Sequence, residues 1–242
     1  MENSTTKMKV EIWSDIMCPF CYIGKRKFES ALNGFDGAEH VEIEWHSFQL
    51  DPTIQTGHGK NLYQYLSERK GIPYQQSVEM HKQVTAMAKE AGLDYQFDKA
   101  VVANSFDAHR LIQFAKTKSL GDAAEERLFH AYFTEGKDFS NHDTLVELGK
   151  DIGLDADEIT KVLSGNAYTK NVKDDIEEAA QIGVRGVPFF VFNRTFAVSG
   201  AQPSDVFSKA LQQSFDDWNK HQPLNVLEVA EGSVCAPGDD CK

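Results

Sequence analysis

Cys18-Pro19-Phe20-Cys21 is the part of this sequence whose residue types and spacing best suit chemistry. A thiol attacks a disulfide as its thiolate, and a free cysteine with a pKa of about 8.5 is mostly protonated at neutral pH. A helix start favours the anion, because unpaired backbone N–H groups and the positive end of the helix dipole point outward there. Pro19 suits such a start: its missing N–H costs nothing and its fixed φ is already helical. Cys21 then returns to the same side of the first turn, within reach of the Cys18 sulfur. Cys18 is expected to attack and Cys21 to resolve the mixed disulfide, with the inner thiol the less exposed and less acidic of the two.

The flanking elements must place this pair at a strand-to-helix junction. Lys9 to Trp13 alternates and is rich in strand formers, Tyr22 to Leu32 is helical in composition and ends near Asn33-Gly34, where a left-handed cap is easy, and Val41 to Phe48 alternates again. Between about Asp51 and Gly165 helical patterns take over, broken at Thr56-Gly57-His58-Gly59, Gly71-Ile72-Pro73 and Gly136. A helix over Tyr168 to Ile182 is followed by the apolar strand Phe189 to Phe192, a short strand Thr195 to Ser199, and a helix with Phe207, Leu211, Phe215 and Trp218 on one stripe. The expected order is β-α-β, a helical block, then α-β-β-α.

Gly186-Val187-Pro188 opens the strand at Phe189. Proline cannot donate to a central ladder, so it belongs at a strand start, and a cis peptide there would turn the Val187 backbone into a docking edge. An ordinary trans proline is the alternative that local sequence leaves open.

Composition narrows the partners. With 25 basic and 37 acidic residues the net charge is −12, a surface that repels phosphate backbones and anionic headgroups, so neither nucleic acid nor membrane is expected. Met1 to Lys9 lacks the apolar stretch of a secretion signal, which leaves a cytoplasmic protein as the expectation. Four cysteines are too few for a disulfide scaffold and suggest a chemical use. Cys235 and Cys241 have five residues between them, whereas zinc sites usually pair cysteines across about two to four, so no metal site is expected. These two lie around Pro237-Gly238, which favours a turn, and are candidates for a second redox pair; two incidental thiols are the alternative.

Trp13-Ser14-Asp15-Ile16-Met17-Cys18-Pro19-Phe20-Cys21-Tyr22-Ile23-Gly24, the helical middle with Asn104-Ser105-Phe106-Asp107-Ala108-His109-Arg110-Leu111, Gly186-Val187-Pro188-Phe189-Phe190-Val191 and Ser199-Gly200-Ala201-Gln202-Pro203 together resemble the DsbA-family oxidoreductases of the FrnE type, in the thioredoxin superfamily. The resemblance runs from about Val10 to Trp218. It implies an α/β thioredoxin-like fold, a central mixed sheet flanked by helices, formed by residues 8–55 and 166–220 and interrupted by an all-helical domain at 56–165, with a C-terminal tail at 221–242. It also implies that Pro188 is a cis-proline beside the dithiol, and that Val187 holds an extended substrate by backbone pairing. Pro19, Phe20, Val187 and Pro188 make the expected substrate-contacting set. The strongly oxidising periplasmic relatives carry a His between the cysteines where this chain has Pro19-Phe20, so their potential does not transfer.

The implied activity is thiol–disulfide exchange with disulfide- or thiol-containing proteins or small thiols. No bound cofactor is expected, and glutathione enters only as a thiol co-substrate. Two alternatives share the fold: a glutathione-dependent isomerase or transferase of the 2-hydroxychromene-2-carboxylate isomerase or kappa type, in which a Ser stands where this chain has Cys18, and a non-catalytic, chaperone-like binder of clients. His109 and Arg110 could support a thiolate or an anionic substrate, but pairing within the helical block explains them equally, and Asn104 reads as a helix cap.

Overall fold

Both faces of the strand before the dithiol are covered. Met8–Ser14 (β1) buries Met8, Val10 and Ile12 on one side and Trp13 on the other, as a central strand must. In the computed structural model, which describes residues 7–55 and 59–220, β1 pairs in parallel with Val41–Ser47 (β2), from Met8 opposite Val41 to Ser14 opposite Ser47. Parallel pairing requires a crossover, and the helix Pro19–Asn33 (α1) provides it. Phe189–Phe192 (β3) runs antiparallel to β1, and Phe196–Ser199 (β4) antiparallel to β3, giving the order β2-β1-β3-β4. Asn193 and Arg194 take φ of 47° and 58° in the connecting turn, the left-handed geometry that matches strand twist.

One face of the sheet packs on α1 and on the last described helix, Ser204–Lys220 (α9). Phe28, Phe190, Phe192 and Phe207 interlock there with Met8, Val10, Ile12 and Leu211. The Phe190 and Phe207 rings meet edge to face at 4.7 Å. The other face carries Trp13 and Val191 against Ala179 of Thr169–Gln181 (α8).

Between β2 and α8 lie Leu62–Lys70 (α2), Tyr74–Glu90 (α3), Phe106–Lys116 (α4), Gly121–His130 (α5), His142–Asp151 (α6) and Ala156–Ser164 (α7). Gly71 and Gly136 end turns at φ of 62° and 70°, and a Cβ at Gly136 would sit 2.6 Å from the Lys99 carbonyl oxygen. The apolar interior of this block is continuous with Ile16, Cys18, Cys21, Tyr22 and Ile23. Tyr22 stacks on Phe129 at 4.9 Å, and Tyr95 on Phe133 at 4.5 Å. The dithiol therefore sits at the seam between sheet and helices.

One local expectation is corrected. Gly34 caps α1 at φ −96°, outside the left-handed region, and the chain leaves the helix through a turn in which the Phe35 N–H donates to the Leu32 carbonyl at 3.1 Å. The residues after α5, Ala131–Glu135, form a π-helical turn that no periodicity signals.

A buried ionic network ties the sheet's far edge to α8. His46 stacks on Trp13 at 4.4 Å, its Nδ1 lies 2.9 Å from Asp175, and its Nε2 lies 3.4 Å from Glu11. Asp175 also accepts from the Ser47 N–H and from Gln113 of α4, and Arg194 pairs with Glu11 and Glu178.

Candidate active site

Cys18 ends the tight turn after β1, with its N–H donating to the Asp15 carbonyl at 2.9 Å. It is the N-cap of α1, with φ −87° and ψ 110°, and Pro19 takes the first helical position. The expectation that free N–H groups point at its sulfur is corrected: the Cys18 side chain makes no capping bond. Its thiol donates instead to the Val187 carbonyl, with Sγ 3.4 Å from the oxygen. The Cys18 side chain thus faces the loop that leads into the strand opening at Phe189.

Val187–Pro188 is a cis peptide. Pro188 is buried and packs on α1, where a Cβ at Gly24 would come within 2.9 Å of its Cγ. The absence of a side chain at Gly24 lets the helix and the proline loop approach this closely.

Cys21 is 1% exposed and Cys18 4%. Burial pushes the Cys21 thiol well up, and the adjacent Cys18 sulfur adds to this, while the Asp15 N–H and the Ser14 hydroxyl oppose it. Cys21 is thus the more buried of the two thiols, and burial opposes its ionisation. Both cysteines are in the free thiol form. Phe20, between them, is 37% exposed, one of the few large apolar side chains among the described residues left open to solvent. Pro19 is half-buried, and its carbonyl accepts the Tyr95 hydroxyl at 2.7 Å. Burial, with the cysteines next in order, raises Tyr95, so this hydroxyl stays a donor.

The structure brings Cys18, Pro19, Phe20, Cys21, Val187 and Pro188 to one place. Cys235 and Cys241 lie outside the described residues. Arg110 is far from a substrate role: its guanidinium donates to the Ala167 carbonyl at 2.8 Å, to Gly165 at 2.6 Å and to Val162, fastening the end of α7. Asn104 accepts the Phe106 N–H at 2.9 Å, as a cap does, and also ties down Pro52 and Ile54. His109 is fully buried with Nε2 3.6 Å from Asp15, just under the Cys18 turn. Tyr95 and Asp15 escaped the sequence reading; an acidic residue among apolar neighbours just before the cysteines was the available signal for Asp15.

Similarity to known proteins agrees with this geometry. Residues 9–212 match the DSBA-like thioredoxin domain family. The probable DsbA oxidoreductase SCO1869 from Streptomyces coelicolor superposes with a TM-score of 0.83 at 37% identity, over 96% of this chain and 97% of that one. The uncharacterized protein YwbO of Bacillus subtilis (strain 168) is 29% identical over 204 residues, 84% of this chain and 94% of its own length. The fold also matches the cytosolic disulfide reductase DsbM from Pseudomonas aeruginosa, with a TM-score of 0.60 at 17% identity over 86% of this chain and 98% of that one. With a dithiol at the start of α1, a proline loop opposite and a family match spanning both, this chain belongs to the DSBA-like thioredoxin domain family of oxidoreductases.

Proposed function

We propose that the protein exchanges thiols and disulfides through Cys18 and Cys21, by way of a mixed disulfide at Cys18. The observation that carries this reading is the Cys18 thiol held 3.4 Å from the Val187 carbonyl with the raised Cys21 thiol behind it. In the resting dithiol the Val187 carbonyl accepts from Cys18. When Cys18 ionises that bond is lost, and the carbonyl is free to pair with an extended substrate backbone. Pro19, Phe20, Val187 and Pro188 line the approach, and the open Phe20 ring offers an apolar contact to a protein segment or a small thiol.

The substrates under this reading are disulfide- or thiol-containing proteins and small thiols, glutathione among them, with no bound cofactor needed. Among the described residues no helix is long and apolar enough to cross a membrane. Action in the cytoplasm belongs to the same proposal, supported by the sparse use of cysteine in the sequence. A glutathione-activating isomerase would need a hydroxyl where this chain has a thiol, and the Cys18 thiol with its resolving partner favours exchange over that chemistry.

The test is disulfide reduction by the Cys18→Ser and Cys21→Ser proteins. The first should lose turnover, and the second should accumulate a mixed disulfide visible as a mass increase. Normal turnover by Cys18→Ser would overturn the assignment. The dithiol's equilibrium with glutathione then fixes whether it serves as oxidant or reductant.

A further inference from the structure

The face of the sheet under α8 carries a cluster of donor atoms that thiol exchange does not use. β2 holds Glu44 and His46 two residues apart, so both side chains leave the same face, and the parallel register sets Glu44 beside Glu11 of β1. One donor atom from each of Glu11, Glu44 and His46 lies within 4.8 Å of the others. His46 Nε2 stands 3.4 Å from Glu11 Oε1 and 4.0 Å from Glu44 Oε1. Glu11 and His46 are more than nine-tenths buried, yet Glu11 Oε2 and His46 Nε2 make no hydrogen bond among the described residues. Buried polar atoms left this way cost stability unless something else satisfies them.

The imidazole is already set for a ligand. A carboxylate only accepts, so the 2.9 Å contact between His46 Nδ1 and Asp175 makes Nδ1 the donor. In the neutral ring this leaves the Nε2 lone pair facing the two glutamates. Asp175 is itself held by the Ser47 N–H at 2.7 Å and by Gln113 at 2.6 Å. A carboxylate on one ring nitrogen with the other nitrogen free is how metal-binding histidines are oriented. Two ligands on tetrahedral zinc, each at about 2.0–2.2 Å, stand about 3.3–3.5 Å apart. His46 Nε2 and the Glu11 carboxylate already have that separation, and the Glu44 side chain, 28% exposed, is free to close the rest and opens the cluster to solvent.

The neighbouring cations leave this space open. Arg194 takes Glu11 Oε1 and Glu178, and Lys9 takes Glu44 Oε2 at 2.8 Å. Lys116 lies 3.3 Å from Glu44 Oε1 but also donates to the Trp45 carbonyl at 2.8 Å, a partner it keeps on yielding the carboxylate. Four carboxylates, Glu11, Glu44, Asp175 and Glu178, thus face three cations, Lys9, Lys116 and Arg194, and the network has room for further positive charge.

We propose that Glu11, Glu44 and His46 form a binding site for a divalent zinc ion, with Asp175 orienting the imidazole from behind and water completing the shell. An imidazole among the donors favours zinc over magnesium or calcium, which take oxygen ligands. A proton on His46 Nε2 fills the same place in the metal-free protein, and the metal displaces it to solvent on binding. The bound ion ties β1 to β2 and, through Asp175, to α8. Cysteine spacing pointed to no metal site; these three donors meet only through the strand register. The site uses neither Cys18 nor Cys21 and stands apart from the exchange reading.

The experiment is a calorimetric titration of the chelator-treated, full-length protein with zinc chloride, in a background with all four cysteines replaced by serine so that no thiol competes. One ion should bind per chain. Affinity should fall by about tenfold or more in Glu11→Gln and in His46→Gln, at least what loss of an outer-shell partner costs. No binding at millimolar zinc, or an affinity unchanged in both variants, would overturn the proposal. If these buried substitutions prevent folding, Glu44→Gln decides, since a partly exposed side chain can change without disturbing the core. Its affinity should fall by a similar factor, and an unchanged affinity overturns the site.

Discussion

Cys18 Sγ lies 3.4 Å from the carbonyl oxygen of Val187, a contact between residues 169 positions apart in the chain. The thiol is the donor, so a serine hydroxyl can replace it in the fold but not in the chemistry. Cys18→Ser should melt within about 1 kcal/mol of the parent, the scale of one hydrogen bond. Its disulfide reductase activity should fall to background. Thermal unfolding and a turbidity assay of disulfide reduction check the two halves separately.

Phe20 should separate binding from stability in the opposite sense. Its ring is 37% exposed next to the Cys18–Cys21 pair, so little apolar area is lost from the core when it is removed. Phe20→Ala should leave stability within about 0.5 kcal/mol, as surface substitutions do. KM for a protein disulfide should rise, with a smaller effect for a small disulfide that does not reach the ring. Equal changes for both substrates would remove Phe20 from the binding surface.

The helix and the proline loop touch through Gly24, where an added Cβ would lie 2.9 Å from Pro188 Cγ and 3.4 Å from Phe190 Cζ. Both neighbours are buried ring atoms with little room to give. Gly24→Ala should destabilise by about 1–3 kcal/mol, the usual cost of overpacking. Turnover should fall as well, because Pro188 adjoins Val187 and a shift of that loop moves the Cys18 partner. Melting temperature and initial rate on one preparation test the link.

Much of this arrangement was legible in the residues themselves. The β1–α1–β2 opening shows in the alternation of Lys9 to Trp13 and Val41 to Phe48 around a Pro-led helix start, because periodicity is a local property. The stripe Phe207, Leu211, Phe215 and Trp218 marked α9 for the same reason, and it packs on β1, β3 and β4. Contacts set by long-range packing were not legible. Nothing near Tyr95 signals that its hydroxyl reaches the Pro19 carbonyl 76 residues away, and nothing near His109 signals Asp15. The Cys18 sulfur was expected to face helix N–H groups and instead faces Val187, because whether a residue stands at the N-cap or one turn further on depends on the preceding turn, here closed by the Asp15 carbonyl.

The His46 network gives stability a pH dependence whose sign can be worked out. Burial lowers His46, but the hydrogen bond to Asp175 and the ion pair with Glu11 outweigh it and leave its pKa raised above the usual 6.5. Its contribution is therefore complete below about pH 6.5, the unfolded value, and is lost as pH rises through the raised folded value. Glu11 and Asp175 are also buried, yet His46, with Arg194 at Glu11 and the Ser47 N–H at Asp175, holds both below the ordinary carboxyl range. Their contribution is present above their unfolded values and lost as pH falls through the folded ones. All three act together in mildly acidic solution, between the carboxylate and imidazole ranges. His46→Gln should cost about 1–3 kcal/mol there, the penalty for leaving buried partners short of a donor. For a chain of this size that is about 2–4 °C in melting temperature per kcal/mol. The difference from the parent should shrink as pH rises past the folded His46 value, since the parent then loses the imidazolium too. A difference that stays constant from mildly acidic to alkaline pH would show that His46 acts by packing on Trp13 alone.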